Sequence, residues 1–217
     1  MRTKTLLLTV ALVAAGAASS MAQVYSQNAV GYVNTVVYPG FNLIANPLSQ
    51  GNTTIAALLP TVPDSTSFYG WVSGPGGGFV IRQFVDGLGW DPDGTPDIAS
   101  GKGFFLQNVG ASPFTVTFVG DVAQGSLSVG LVGGLNLVGS KVPQTGLVST
   151  GLGFPGQDSD LLYIYDNGPS GDNGYIIRQF VDGLGWDPDE PTLGVGKGMW
   201  INSQGAHVSW VRAFSVN

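Results

Sequence analysis

Thirteen residues, Ile-Arg-Gln-Phe-Val-Asp-Gly-Leu-Gly-Trp-Asp-Pro-Asp, occupy positions 81 to 93 and return unchanged at 177 to 189, an offset of 96. A match of that length is not a product of chance, so the chain is built as two copies of one unit. Two weaker anchors keep the same order. Gly40-Phe41-Asn42-Leu43-Ile44 resembles Gly134-Leu135-Asn136-Leu137-Val138, and Gly101-Lys102-Gly103-Phe104-Phe105 resembles Gly196-Lys197-Gly198-Met199-Trp200. Together they define a repeat of about 95 residues.

The pattern inside each copy is that of strands. Phe114, Val116 and Phe118 alternate with Thr115 and Thr117, and Val208, Trp210, Phe214 and Val216 form a similar closing segment. Gly74–Gly78 and Asn167–Gly174 read as hairpin loops between strand-like stretches. The one helical signal is Thr54–Leu59, which places Ile55, Leu58 and Leu59 on one face before Pro60; its counterpart near Leu147–Leu152 contains glycine. The expected fold class is all-β: two homologous β-sandwich or barrel-like modules in tandem, packed with pseudo-twofold symmetry, with one short helix in the first. The expected boundaries are 1–22 for an export signal, 23–125 for the first repeat and 126–217 for the second.

The signal reading rests on Arg2 and Lys4 ahead of the apolar run Leu6–Ala18, followed by the small residues of Ser20-Met21-Ala22. That run is shorter than the roughly 20 residues needed to span a bilayer, so the expectation is an exported chain with no membrane span. Loss of Arg2 and Lys4 takes the net charge from −6 to −8. A strongly acidic chain has no basic face for nucleic acid. The absence of cysteine excludes disulfides, thiol catalysis and thiolate metal sites. Among the acidic residues only Glu190 is a glutamate, and 34 glycines accompany them; aspartate and glycine favour turns over helices.

The duplicated segment holds the candidate sites. In a strand reading Ile81, Gln83 and Val85 point one way and Arg82, Phe84 and Asp86 the other. Arg82 and Arg178, with Asp86 and Asp182 nearby, read as structural residues that pair ions or cap backbone carbonyls. Trp90-Asp91-Pro92-Asp93-Gly94 fits a type I turn. Its bland reading is a stiff corner. A sharper one is a Ca²⁺ loop using Asp91, Asp93 and Asp97, but the second copy, with Asp187 and Asp189, has Glu190 in place of the glycine and no third aspartate, which argues against a metal. Another reading makes Trp90, Asp91, Asp93, Trp186, Asp187 and Asp189 a ligand-binding set, with exposed indoles stacking on sugars and carboxylates bonding hydroxyls. Its rival is a pair of core tryptophans covering glycine-rich backbone, and Trp71, Trp200 and Trp210 read as core as well.

No catalytic residue is assigned. The single histidine, His207, lies outside the duplicated segment and has no nucleophile motif around it. A carboxylate pair such as Asp86 with Asp91 is the minimum a glycosidase needs. The Gly-Lys-Gly segments lack Walker spacing and read as strand entries whose lysines protect an edge. No cofactor is expected.

Gln27–Asn34, Gly40–Leu48, Gly101–Phe105 and the terminal Phe214-Ser215-Val216-Asn217 together resemble an uncharacterised family of exported bacterial β-rich proteins. The resemblance implies a Gram-negative export route, to the periplasm, cell surface or medium, and carries over no functional residue. The leading expectation is therefore a non-catalytic secreted or envelope-associated structural or adhesive protein. Polysaccharide or cell-surface components are its expected partners, and self-association is open to it through exposed strand edges. A carbohydrate-binding module using the Trp-Asp-Pro-Asp turns is the first alternative, a glycoside hydrolase the second.

Overall fold

A computed structural model describes residues 29–168, 174–204 and 209–216; the signal reading and His207 lie outside them. The first set of elements is β1 (Val30–Val37), β2 (Gly40–Ala45), α1 (Ile55–Leu58), β3 (Ser67–Val72), β4 (Gly78–Val85), β5 (Gly89–Asp91), β6 (Gly103–Asn108) and β7 (Phe114–Asp121). The second is β8 (Gly125–Gly130), β9 (Gly134–Gly139), β10 (Gly146–Leu147), β11 (Leu161–Asp166), β12 (Gly174–Val181), β13 (Gly185–Asp187), β14 (Thr192–Leu193), β15 (Gly198–Ser203) and β16 (Ser209–Phe214).

Each set makes the same small sandwich. A five-stranded antiparallel sheet, β2-β6-β3-β4-β5 or β9-β15-β11-β12-β13, is covered on one face by a two-stranded ribbon, β1-β7 or β8-β16. The alternation read from Phe114 to Phe118 is real: Val116 and Phe118 are buried while Thr115 and Thr117 are exposed. Those two residues join Val33, Val37, Phe68, Phe84 and Phe104 in the first core. In the second, Trp210 of β16 packs with Val129, Leu162, Met199 and Ile201, but Val216 lies beyond the strand and is exposed.

The helix of the first module begins where expected. Thr54 accepts a hydrogen bond from the Ala57 amide as N-cap, and Ile55 is fully buried. Its counterpart is a series of turns. Gly94 and Glu190 account for the difference. A Cβ on Gly94 would stand 2.4 Å from the Ala56 side chain, so α1 requires glycine there. Without a helix, the second module has room for Glu190, whose carboxylate accepts from the amides of Ser149 and Thr150 and from the Thr150 hydroxyl.

The two sandwiches pack through the faces of their sheets that point away from their own cores. Leu43, Phe105, Leu137 and Trp200 are buried in a third cluster, flanked by Tyr69, Trp71, Tyr163 and Tyr165. Strands β2 and β6 are thus buried on both faces, and for that reason Leu43-Ile44-Ala45 and Phe104-Phe105-Leu106 run on without polar interruption. A pseudo-twofold relation is written in the backbone. Ile44 bridges to Lys197 while Val138 bridges to Lys102, and the amides of Ala45 and Gly139 donate to the carbonyls of Gly196 and Gly101, each at 3.0 Å.

Lys102 and Lys197 therefore do not guard a free edge. Their backbones form the seam that covers the edge strands β2 and β9 of the opposite module, which is another way of hiding an edge. Glycine makes the approach possible: a Cβ on Gly198 would lie 2.9 Å from the Ile44 carbonyl oxygen, and one on Gly103 would lie 3.0 Å from the Val138 nitrogen.

Candidate functional site

The duplicated segment spans β4 to β5 and β12 to β13, and its residues divide by face. Phe84 points into the first core beside Trp90, with ring centroids 5.4 Å apart, and Phe180 meets Trp186 at 5.2 Å. Trp90 is 7 % exposed and Trp186 6 %. Their indole N–H groups are also committed, Trp90 to the Leu59 carbonyl and Trp186 to the Ser149 hydroxyl, each at 2.9 Å. The sugar-platform reading of these rings fails, because neither offers a face to solvent. Among the other tryptophans, Trp200 and Trp210 are buried; Trp71 is half-buried.

Arg82 lies on the same side as Phe84 and clamps the turn that follows Trp90. Its Nε donates to the Asp93 carbonyl at 3.1 Å, its Nη2 to Asp93 Oδ2 at 3.0 Å, and its Nη1 to the Ile81 carbonyl at 2.8 Å. Arg178 repeats all three contacts with Asp189 and Ile177. The partner is thus Asp93, eleven residues on, and not Asp86. The Asp91–Pro92 and Asp187–Pro188 peptides of the two turns are cis.

The three aspartates considered for calcium go separate ways. Asp93 accepts from the Thr95 hydroxyl and amide and from Arg82. Those bonds, Thr95 first, hold its carboxyl below the usual range. Asp97 accepts from Thr53, Ala99 and Lys102; burial works to raise its pKa, but the Lys102 and Thr53 hydrogen bonds outweigh that and keep it low. Asp91 is exposed on β5 opposite Gln83, and Asp187 on β13 opposite Gln179. Asp86 and Asp182 follow the ends of β4 and β12 and are exposed.

Two residues outside the sequence candidates anchor the segment. Asp64 accepts from the Asp86 amide at 2.9 Å and Asp158 from the Asp182 amide at 3.0 Å. The Asp86 amide, followed by the Ser65 hydroxyl, keeps the Asp64 carboxyl below its ordinary value. Each is followed by a serine at positive φ, Ser65 and Ser159, whose amide donates to the carbonyl of Phe84 or Phe180. The signal was an Asp-Ser pair repeated 94 positions apart.

The remaining identical residues point out. Ile81 and Ile177 are 52 % and 51 % exposed, and Leu88 and Leu184 are each 85 % exposed. Each leucine stands at the tip of the loop joining two strands. Gly87 and Gly89 take φ of 75° and 90°, Gly183 and Gly185 take 76° and 89°, a backbone that glycine alone adopts without cost. The Leu88 amide donates to the Val85 carbonyl at 3.0 Å, as Leu184 does to Val181. The result is one stiffly held apolar prong per module.

Among the described residues no group of three or more His, Cys, Asp or Glu side chains is placed to hold a metal ion, and no helix is long and apolar enough to cross a membrane. Comparison with protein-family models, with curated proteins and with solved structures gave no match.

Proposed function

We propose that this chain is a non-catalytic exported protein, structural or adhesive in role, that meets surface polymers or copies of itself through the paired prongs of Leu88 and Leu184. One observation carries the reading: within the thirteen identical residues, two leucines that are each 85 % exposed stay the same in modules whose sequences outside that segment differ widely. Arg82, Phe84, Trp90 and Asp93 have folding reasons to be retained; an 85 % exposed leucine has none. Transfer of one leucine side chain out of water contributes about 1.5–3 kcal/mol, so a single prong binds weakly. Two on one chain strengthen each other through effective concentration where both reach the same surface. Export is supported by the Arg2, Lys4 and Leu6–Ala18 pattern.

The test is co-pelleting of residues 23–217 with insoluble polysaccharides and with bacterial envelope fragments, alongside sedimentation velocity of the protein alone. Retention on one of these surfaces, or concentration-dependent association, is expected, with no turnover of chromogenic glycosides. A monomer that is retained by nothing, or measurable glycoside turnover, would sink the proposal.

A further inference from the structure

The two modules also depart from their pseudo-twofold relation beside the seam. An open cleft of about 670 Å³ lies between the sheet of the first module and strands β8 and β9 of the second, within the roughly 300–1,000 Å³ of small-molecule sites. Trp71, Val72 and Val80 give it apolar surface, and Lys102, Lys141 and Ser128 give it polar groups. At the related positions the chain carries different residues. Gly70 in the cleft corresponds to Ile164, which packs on the second core. Ser100 corresponds to Val195, which packs on the first. Lys141 corresponds to Pro47. Lys197, the counterpart of the exposed Lys102, is half-buried, and burial lowers its pKa against the opposing pull of Asp166. At these positions the larger apolar Ile164 and Val195 stand on the other side of the dyad, and Gly70, Ser100 and the basic Lys141 stand here.

The charge of the cleft opposes that of the chain. Arg82 and Arg178 are held by Asp93 and Asp189 outside the cleft lining, whereas Lys141 and Lys102, the latter paired with Asp97, line the cleft, with Arg212 beside Lys141 in an adjoining hollow. Asp97 is the one carboxylate in the lining. The stem of Lys141 crosses Gly101, its Cγ and Cε 3.0 and 3.1 Å from where a Cβ would stand, so both lysines flank the same glycine. The Ser100 hydroxyl is buried there without a hydrogen-bond partner.

We propose that this cleft binds a carboxylate-bearing sugar ring, a uronate, with the ring against Trp71 and the carboxylate between Lys102 and Lys141. A half-buried indole suits the apolar face of a pyranose, and two ammonium groups suit its acid. Asp97 already holds Lys102 and competes with the incoming carboxylate for it. The site is separate from the Leu88 and Leu184 prongs and does not depend on their role.

Calorimetric titration of residues 23–217 with trigalacturonate, galacturonate and neutral maltotriose tests the assignment. Trigalacturonate is expected to bind at least about tenfold more tightly than maltotriose, in line with a charge-assisted hydrogen bond, and less tightly as salt rises. Equal binding of galacturonate would assign the site to free uronic acids, and stronger binding of the trimer to the polymer; both keep the uronate class. Lys141→Ala should weaken binding about tenfold. Asp97→Asn, which keeps an oxygen for Thr53 and the Ala99 amide, should strengthen it, and Leu88→Ser with Leu184→Ser should leave it unchanged. Equal affinity for maltotriose, no uronate binding, or Lys141→Ala and Asp97→Asn both at the parent affinity would overturn the proposal.

Discussion

Trp90→Ala is expected to lower the unfolding free energy by about 3–5 kcal/mol, the usual cost of emptying a buried aromatic site. The ring fills the space between Phe68 and Phe84, and its N–H satisfies the carbonyl of Leu59, the C-cap of α1. Trp90→Phe separates the two contributions, because it keeps much of the volume and leaves that buried carbonyl without its donor, at about 1–3 kcal/mol. Trp186→Phe should cost less than Trp90→Phe, since the Ser149 hydroxyl oxygen it leaves without a donor is only part-buried and can accept from water instead. Urea unfolding followed by far-UV circular dichroism checks all three values without relying on the fluorescence of the residue removed. Had the rings been exposed platforms, Trp90→Ala would leave the midpoint in place.

The second large effect is expected at the seam. Gly103→Val with Gly198→Val places side chains where the backbone of the opposite module already stands, at Val138 and Ile44. Neither strand can yield without breaking the paired bridges, so the substitutions should part the sheets and expose Phe105 and Trp200. Overpacking costs about 1–3 kcal/mol per site. A more specific sign is the loss of cooperativity: the parent chain should unfold in one calorimetric transition, and the double variant in two, one for each sandwich. Gly133→Ala, which has open space around it, is the control that should change nothing.

Much of this fold was legible because period and repeat act at the level of backbone and burial. Alternation at Phe114–Phe118 gave a strand with one wet face, and the shared face of Ile55, Leu58 and Leu59 before Pro60 gave a helix. The continuous runs at Leu43–Ala45 and Phe104–Leu106 carried the further message that these strands are buried on both faces, which the lysine between two glycines obscured. Side-chain partners were far less legible. The choice of Asp93 over Asp86 for Arg82 depends on where the chain turns after Trp90, and a local pattern does not fix that. Trp90 looked available because it adjoins a polar turn, yet Gly89 and the short β5 swing its ring into the core. The link between Gly94 and α1, and between Glu190 and the turns that replace it, joins segments about 40 residues apart and appears only when both are in place.

The central claim is that one segment does two jobs, its inward residues building each sandwich and its outward leucines making contact. Leu88→Ser with Leu184→Ser, measured side by side for urea midpoint and for retention on the surface that holds the parent chain, tests that division directly. The account predicts an unchanged midpoint and lost retention, because both leucines are 85 % exposed and contribute little to either core. A lowered midpoint, or retention equal to the parent's, would contradict it.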